Sequence, residues 1–103
     1  MTKPDIPLLQ KQVEQASGLL KAMSNPHRLL ILCMLCDAPG TSAGELSAIT
    51  GLSPSATSQH LARMKEEGLV ESLRQAQRAN YFIKDEAVGK IISTLKGLYC
   101  PQE

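Results

Sequence analysis

The stretch AGELSAITGLSPSATSQHLARMKEEGLV, residues 43–70, predicts two short helices that meet at a tight turn. Ser42 precedes the first helix and Glu45 follows three residues later, which is the spacing of a capping box. The first helix is expected to end before Gly51, because glycine is favoured where a helix stops and the chain turns. This order of signals is typical of a helix-turn-helix.

The second helix of the pair has its own start and stop signals. Ser53 can cap its N-terminus, Pro54 suits its first turn, and Gly68 marks its end. We therefore expect helices over residues 43–49 and 54–67. After Gly68 the pattern changes to two strand-like runs, LVESL and NYFIK, which the segment RQAQRA joins. A hairpin in this position predicts the wing of a winged helix-turn-helix.

Three further helices complete the prediction. Apolar residues recur at spacings of three and four over residues 8–23, an almost continuous apolar run fills residues 26–36, and Asp85 can cap a last amphipathic helix. The predicted fold is mainly α with a small β-hairpin, a winged helix-turn-helix in the order α-α-α-α-β-β-α. A flexible lead-in over residues 1–7 is expected to precede one domain over residues 8–103.

The composition limits the classes of function. The chain has 103 residues and a formal net charge of +1, so any attraction to nucleic acid must come from local clusters of positive charge. No apolar segment is long enough to span a bilayer, and the N-terminal region lacks the apolar core of a signal peptide, which predicts a cytoplasmic protein. No carboxylate pair, Ser/His/Asp set or phosphate-binding loop is apparent, so we expect no enzymatic activity.

The second helix of the pair and the hairpin tip carry residue types that read DNA. Small hydroxyl side chains let a helix enter the major groove, Gln59 can pair with adenine, and Arg63 can bind guanine or phosphate. Arginines on a hairpin suit the minor groove or the flanking phosphates. Taken singly, a serine-rich helix or an arginine-rich tip is also typical of a solvated surface. Together they predict seven DNA-contacting residues: Ser55, Ser58, Gln59, Arg63, Arg74, Gln77 and Arg78.

Two segments make the chain resemble a known family. LKAMSNPHRLLIL resembles the entry into the second helix of the ArsR/SmtB family of bacterial winged-helix repressors, and LSPSATSQHLARMKEEGLV resembles that family's recognition helix. The likeness extends over residues 19–99. It implies a homodimer paired through its first and last helices, which binds an imperfect palindrome of double-stranded operator DNA and represses transcription. It also implies base contacts from Ser55, Ser58 and Gln59.

The usual metal sites of that family are missing from this sequence. Many members bind metals through a Cys-x-Cys pair in the helix before the recognition helix, where this chain reads GELSAIT and has no cysteine. Others use histidine and carboxylate ligands on the last helix, where this chain reads DEAVGKIISTLKGLYC and has no histidine. We therefore predict no metal and no other cofactor. His27 and His60 are expected to be structural or hydrogen-bonding surface residues.

Three cysteines are an odd number, which is rare in secreted disulfide-linked proteins, and in a reducing cytoplasm they are expected to be free thiols. Cys33 in LLILCML and Cys100 in LKGLYC look like the cysteine pair of the YgaV/HlyU branch of the family, which includes sulfide- and persulfide-responsive repressors. The resemblance implies that reactive sulfur species or oxidants link Cys33 to Cys100 by a disulfide or polysulfide, after which the operator is released.

Other roles of the cysteines stay open at this stage. Cys33 can be an inert packing residue, because burial among apolar side chains raises the pKa of a thiol. Packing is also the expected role of Cys36, one turn later. Alternatively, Cys33, Cys36 and Cys100 together form a thiolate site for a soft metal or arsenite. The inducer is thus open between persulfide, another oxidant, haem and a soft metal.

Overall fold

The computed structural model describes residues 5–100, and its elements follow the predicted order with one added short strand. The elements of this part of the chain are, in order, α1 (Ile6–Met23), α2 (Pro26–Asp37), β1 (Thr41–Ser42), α3 (Ala43–Thr50), α4 (Pro54–Glu66), β2 (Val70–Gln75), β3 (Arg78–Ile83) and α5 (Glu86–Tyr99). The predicted winged helix-turn-helix is therefore confirmed.

Helix α1 begins two residues before the predicted position. The side chain of Asp5 caps it by accepting a backbone hydrogen bond of 3.1 Å, and a proline is tolerated in the first turn. Ile6 and Pro7 are therefore helical, although the sequence predicted a flexible lead-in over residues 1–7. The first four of those residues lie outside the described part of the chain, and the single domain over residues 8–103 stays a prediction.

Helix α2 lies at the centre of the core, as its apolar sequence predicts. The side-chain oxygen of Asn25 caps it and accepts hydrogen bonds from the backbone N–H groups of His27 (2.9 Å) and Arg28 (3.1 Å). Side chains from the remaining helices and the hairpin pack around α2. The buried apolar residues of this core are Met23, Ile31, Leu32, Leu35, Leu46, Leu61, Met64, Leu69, Val70, Val88 and Ile92.

Helices α3 and α4 are positioned by the local signals that predicted them. The hydroxyl of Ser42 accepts a hydrogen bond from the backbone N–H of Glu45 (3.2 Å), and the Glu45 carboxylate accepts one from the backbone N–H of Ser42 (3.3 Å). Gly51 ends α3 with a φ of 75°, in the left-handed region that favours glycine. The capping box and the turn are thus confirmed.

Helix α3 buries only one of its two large apolar side chains. Leu46 is fully buried, whereas Ile49 is exposed. Ser47 is buried in addition to Leu46, because its hydroxyl donates a hydrogen bond to the carbonyl of Leu52 (2.7 Å) in the turn. This bond satisfies the hydroxyl and thereby allows a polar side chain at a buried position.

The β-sheet contains three antiparallel strands in the order β1-β3-β2. Strand β1 pairs Thr41 with Tyr81 and Ser42 with Asn80, so that the segment before α3 is attached to the wing. This strand was not predicted, since two residues are too few to display an alternating pattern. The attachment fixes the wing relative to the helix-turn-helix.

The hairpin turn of the wing is tighter than the sequence indicated. The turn residues are Ala76 and Gln77, and Ala76 adopts a φ of 56°. Arg74 and Arg78 therefore belong to the paired strands β2 and β3, where each faces a partner residue across the ladder. Their side chains are consequently less free to move than side chains of an open loop.

Helices α1 and α5 expose apolar side chains. Every described residue of α1 up to Gly18 is exposed, including Leu8 and Val13. On α5, Leu98 and Tyr99 are exposed. Within residues 5–100, no helix combines the length and the apolar character required to cross a bilayer.

Candidate functional site

The predicted DNA-contacting residues of α4 share one exposed face. Ser55, Ser58, Gln59 and Arg63 are all exposed. The opposite face of α4 is anchored by three side chains that are fully buried, namely Thr57, Leu61 and Met64. Because the buried residues hold α4 against the core, the helix presents its polar face to solvent as a rigid surface that can enter a major groove.

Arg63 keeps its guanidinium accessible. Its Nε lies 3.6 Å from a carboxylate oxygen of Glu67, one turn later, and its side chain is 69% exposed. A solvated ion pair of this kind contributes little free energy, so a phosphate or guanine can replace Glu67 at small cost. The position therefore suits the predicted DNA contact.

Arg28 supports α4 from one flank, where it lines an open surface pocket together with Gln59 and Arg63, and it was not identified from the sequence. Its Nη1 donates a hydrogen bond to the carbonyl of Ala22 at the end of α1 (2.9 Å), and its Nε donates one to Nδ1 of His60 on α4 (3.3 Å). Glu67 lies 4.0 Å from the same guanidinium. Arg28 thus connects α1, α2 and α4, and His60 has the hydrogen-bonding role that its sequence context predicted.

The protonation state of His60 fits this contact. Burial lowers the pKa of His60, and the nearby charges of Arg28 and His27 lower it further. His60 is therefore neutral at pH 7, and its Nδ1 can accept the hydrogen bond from Arg28.

The wing residues divide into two groups. Arg74 and Gln77 are exposed. Arg78 is exposed as well, but it forms an ion pair with Glu45 of α3, and its Nε donates a hydrogen bond to the side-chain oxygen of Asn80 (3.3 Å). Arg78 therefore ties the wing to α3, a contact that the sequence did not predict. Its charge is partly neutralised before any DNA is bound.

Glu45 takes part in both the capping box and this ion pair. The hydrogen bonds from the side chain and backbone of Ser42 lower the pKa of the Glu45 carboxyl, and the charge of Arg78 lowers it further. Glu45 is therefore ionised at neutral pH. One carboxylate thus links the start of α3 to the wing.

Two of the three thiols, Cys33 and Cys100, line one groove between α2 and α5. Cys33 is half-buried on α2, whereas Cys100 is exposed at the end of α5. The groove has a volume of about 220 Å³ and is otherwise lined by Leu29, Ile92, Leu95, Lys96 and Tyr99. Residues that are 67 positions apart in the sequence are thereby brought to one apolar surface.

Cys36 faces a neighbouring cavity. That cavity is lined by Cys36, Asp37, Ser93, Lys96, Gly97 and Cys100. Among residues 5–100, no three side chains of His, Cys, Asp or Glu are grouped closely enough to hold a metal ion. The geometry of the described residues therefore does not favour the alternative three-thiolate metal site.

Burial makes the two thiols of α2 less acidic. It raises the pKa of Cys33, while the nearby Lys96 opposes this increase and the charges of Cys100 and Asp37 add to it. Burial also raises the pKa of Cys36, and the charge of Cys33 adds to the increase. Neither thiol is therefore mainly ionised at neutral pH.

Known proteins share this architecture and sequence. The family model described as "Bacterial regulatory protein, arsR family" matches residues 25–72. The HTH-type transcriptional regulator YgaV of Escherichia coli is 70% identical over 93 residues, which cover 90% of this chain and 94% of YgaV. The transcriptional activator HlyU of Vibrio cholerae is 46% identical over 92 residues, which cover 89% of this chain and 84% of HlyU.

A solved structure agrees with these relatives. The crystal structure of a predicted DNA-binding transcriptional regulator from E. coli superposes with a TM-score of 0.87 at 66% identity, covering 92% of this chain and 100% of that one. The matched family region contains the helix-turn-helix, and the relatives cover most of both chains. The chain therefore belongs to the arsR family of bacterial regulatory proteins and is a DNA-binding transcriptional regulator rather than an enzyme.

Proposed function

We propose that this regulator is a homodimeric repressor that senses reactive sulfur species or oxidants. In this proposal the reduced dimer binds an imperfect palindrome of operator DNA in the cytoplasm. Linkage of Cys33 to Cys100 by a disulfide or polysulfide then releases the DNA. The observation that carries the proposal is the groove between α2 and α5 that both thiols line.

The exposed apolar surfaces support the dimer. Val13 of α1 and Leu98 and Tyr99 of α5 are between 56% and 79% exposed. Large apolar side chains exposed at several positions of the terminal helices of a small domain favour an interaction surface. A twofold axis beside α1 and α5 spaces two copies of α4 by about 34 Å, which matches successive major grooves on one side of the duplex.

The proposed DNA interface consists of the exposed residues of α4 and the exposed residues of the wing. Ser55, Ser58, Gln59 and Arg63 of α4 enter the major groove, and Gln59 and Arg63 supply the base-specific hydrogen bonds. Arg74 and Gln77 of the wing contact the phosphates or the minor groove. Arg78 joins them only when a phosphate replaces Glu45 as its partner.

The sensing reaction transfers sulfur and then releases it. The thiolate of one cysteine attacks the outer sulfur of a persulfide RSSH, so that a cysteine persulfide forms and RS⁻ leaves. The second thiolate attacks the inner sulfur, which closes the disulfide and expels HS⁻. The sum is two thiols and RSSH giving one disulfide, RSH and H₂S. If a second RSSH instead converts the other cysteine to a persulfide before the bridge closes, two thiols and two RSSH give one trisulfide, two RSH and H₂S.

The energetic demand on this switch is moderate. Complete reversal of DNA occupancy requires about 5.5 kcal/mol of bias between the two states. For a two-electron couple, 30 mV of redox poise corresponds to about 1.4 kcal/mol. A change in redox poise on the order of 120 mV therefore suffices to reverse DNA occupancy, provided that the whole free energy of forming the link acts on the geometry of the dimer.

The test compares cysteine variants on DNA that the reduced protein itself selects from a random library. We expect the unchanged protein to release this DNA on polysulfide treatment, while Cys33→Ser and Cys100→Ser retain it. Cys36→Ser is the matched control, because it removes a half-buried thiol one turn from Cys33, and it should still respond. Mass spectrometry should find the Cys33 and Cys100 peptides joined by two or more sulfurs.

Two results would contradict the proposal. Release of DNA by both Cys33→Ser and Cys100→Ser rejects the bridge between these residues. Loss of the response in Cys36→Ser, together with metal binding that releases protons, favours the three-thiolate sensor instead.

A further inference from the structure

Lys96 on α5 lies between the three thiols. It lines both the groove that contains Cys33 and Cys100 and the neighbouring cavity that contains Cys36 and Cys100. Its ammonium group forms an ion pair with Asp37 at the end of α2, and its side chain is 28% exposed. The cation is thus held beside the thiols by a contact between α2 and α5.

In the described part of the chain, few charged groups line the cavities beside Cys33. From α2, Cys36 and Asp37 face the same region, and from α5 the titratable or charged groups are Lys96, Tyr99 and Cys100. Within this set Lys96 is the one cation. An ammonium ion stabilises a thiolate, whereas burial in an apolar groove opposes its formation.

We propose that Lys96 is the positioning residue that makes Cys33 the attacking thiol, and that Asp37 restrains it. The proposal rests on the proposed function, because it assigns roles within the same pair of cysteines. The Lys96 ammonium stabilises the Cys33 thiolate before attack and the anionic persulfide afterwards. The exposed Cys100 then acts as the resolving thiol.

The ionisation of these groups supports this arrangement. Burial raises the pKa of Cys33 and has the largest effect, the charge of Lys96 limits this increase, and the charges of Cys100 and Asp37 add to it. The hydrogen bond to Asp37 raises the pKa of Lys96, so that Lys96 stays charged wherever a thiol titrates. Removing the charge of Lys96 should therefore raise the pKa of Cys33, whereas removing the charge of Asp37 should lower it.

The experiment measures the alkylation rate of Cys33 in the reduced full chain with iodoacetamide, from pH 6 to 10, without DNA or sulfur oxidant. The thiolate attacks carbon and iodide leaves, so the rate follows the thiolate fraction. We expect Lys96→Met to raise the midpoint and to slow the reaction roughly threefold at pH 7.5. Lys96→Arg should restore the rate, and Asp37→Asn should increase it.

Lys90→Met is the matched control. It removes a lysine from the same helix, but Lys90 is exposed and its ammonium lies 3.9 Å from Glu86. Its Cys33 midpoint should equal that of the unchanged protein. An unchanged midpoint in Lys96→Met, or no rescue by Lys96→Arg, overturns the proposal. If Lys96→Met does not fold, the Asp37→Asn variant decides, and an unchanged or higher midpoint there also overturns it.

This experiment is independent of operator release. A failed Lys96 test with intact Cys33- and Cys100-dependent release leaves the proposed function standing and removes only the role of Lys96. If the Cys33 midpoints shift as expected but DNA release does not depend on Cys33 and Cys100, the effect of Lys96 on Cys33 stands and the proposed function is rejected.

Discussion

At the scale of single residues, similar side chains have different surroundings. Arg74 and Arg78 lie on paired strands of the wing, but of these two only Arg78 contacts a carboxylate within residues 5–100, that of Glu45 on α3. Arg63 has a carboxylate partner too, yet its side chain stays 69% exposed. The availability of each guanidinium for a phosphate therefore depends on its neighbours and not on its residue type.

The first prediction separates base reading from phosphate binding. Gln59→Ala should lose discrimination at one base position by about 1–3 kcal/mol, because a bidentate hydrogen bond to adenine is removed. Arg74→Ala should instead weaken binding to all DNA sequences and reduce the salt dependence by about one phosphate contact. Arg78→Ala should reduce it less, since Glu45 already occupies its guanidinium. Affinities for a set of single-base variants at several salt concentrations measure these differences, and equal behaviour of the three variants contradicts the assignment.

At the scale of elements, three contacts hold the reading surface in place. Strand β1 and the Arg78–Glu45 pair attach the wing to α3, whereas Arg28 attaches α4 to the junction of α1 and α2. The recognition helix is thus supported at its junction with α1 and α2, next to the predicted DNA contacts Gln59 and Arg63. A change at that junction can therefore alter the orientation of α4.

The second prediction concerns this support and its dependence on pH. Arg28→Ala should lower the free energy of unfolding by about 1–3 kcal/mol, because the carbonyl of Ala22 and Nδ1 of His60 lose their donor. The pKa of His60 is lowered in the folded state, so its contribution to stability is present above the ordinary histidine range. It is lost as the pH falls through that range, when the unfolded chain takes up a proton first. Urea unfolding from pH 7.5 to 5.5 should show this loss in the unchanged protein.

The control for this prediction is His60→Gln, which keeps a side-chain acceptor but cannot titrate. Its stability should change less between pH 7.5 and 5.5 than that of the unchanged protein. Arg63→Ala should leave the free energy of unfolding nearly unchanged, because its ion pair with Glu67 is solvated. If His60→Gln and the unchanged protein show the same pH dependence of stability, His60 does not cause the loss of stability at lower pH.

At the scale of the whole molecule, most of α1 and the end of α5 expose apolar side chains instead of burying them in the core. Leu8 and Val13 on α1 and Leu98 on α5 are each more than half exposed, while Val88 and Ile92 on α5 are fully buried. The apolar stripe of α5 therefore serves the core at its beginning and remains available for a partner at its end. The groove that contains Cys33 and Cys100 also lies beside α5, between this helix and α2.

The third prediction tests the proposed dimer. Val13→Asp should shift the protein from dimer to monomer in sedimentation experiments, because a charge at the centre of an apolar interface is left without a partner. Affinity for a palindromic operator should fall steeply, since two half-sites are no longer bound together. Leu73→Asp is the control, because Leu73 is exposed on the wing, away from both helices, and the dimer should persist. A dimer that survives Val13→Asp places the interface elsewhere.

The sequence alone determined most of the elements and their order. Ser42, Glu45, Gly51 and Gly68 act on residues within a few positions of themselves, so their signals for the helix-turn-helix can be read from the sequence. The same holds for the polar face of α4, whose residues share a side of one helix. Strand β1 was not predicted, because a strand of two residues has no pattern of its own and forms only through its pairing with β3.

Only the tertiary structure decided which distant side chains meet. Arg78 and Glu45 are 33 positions apart, Arg28 and His60 are 32, and Lys96 and Asp37 are 59. No helical or strand periodicity encodes such contacts, because they depend on how α2, α4, α5 and the wing pack around the core. The groove that joins Cys33 to Cys100 arises in the same way, from the packing of α2 against α5.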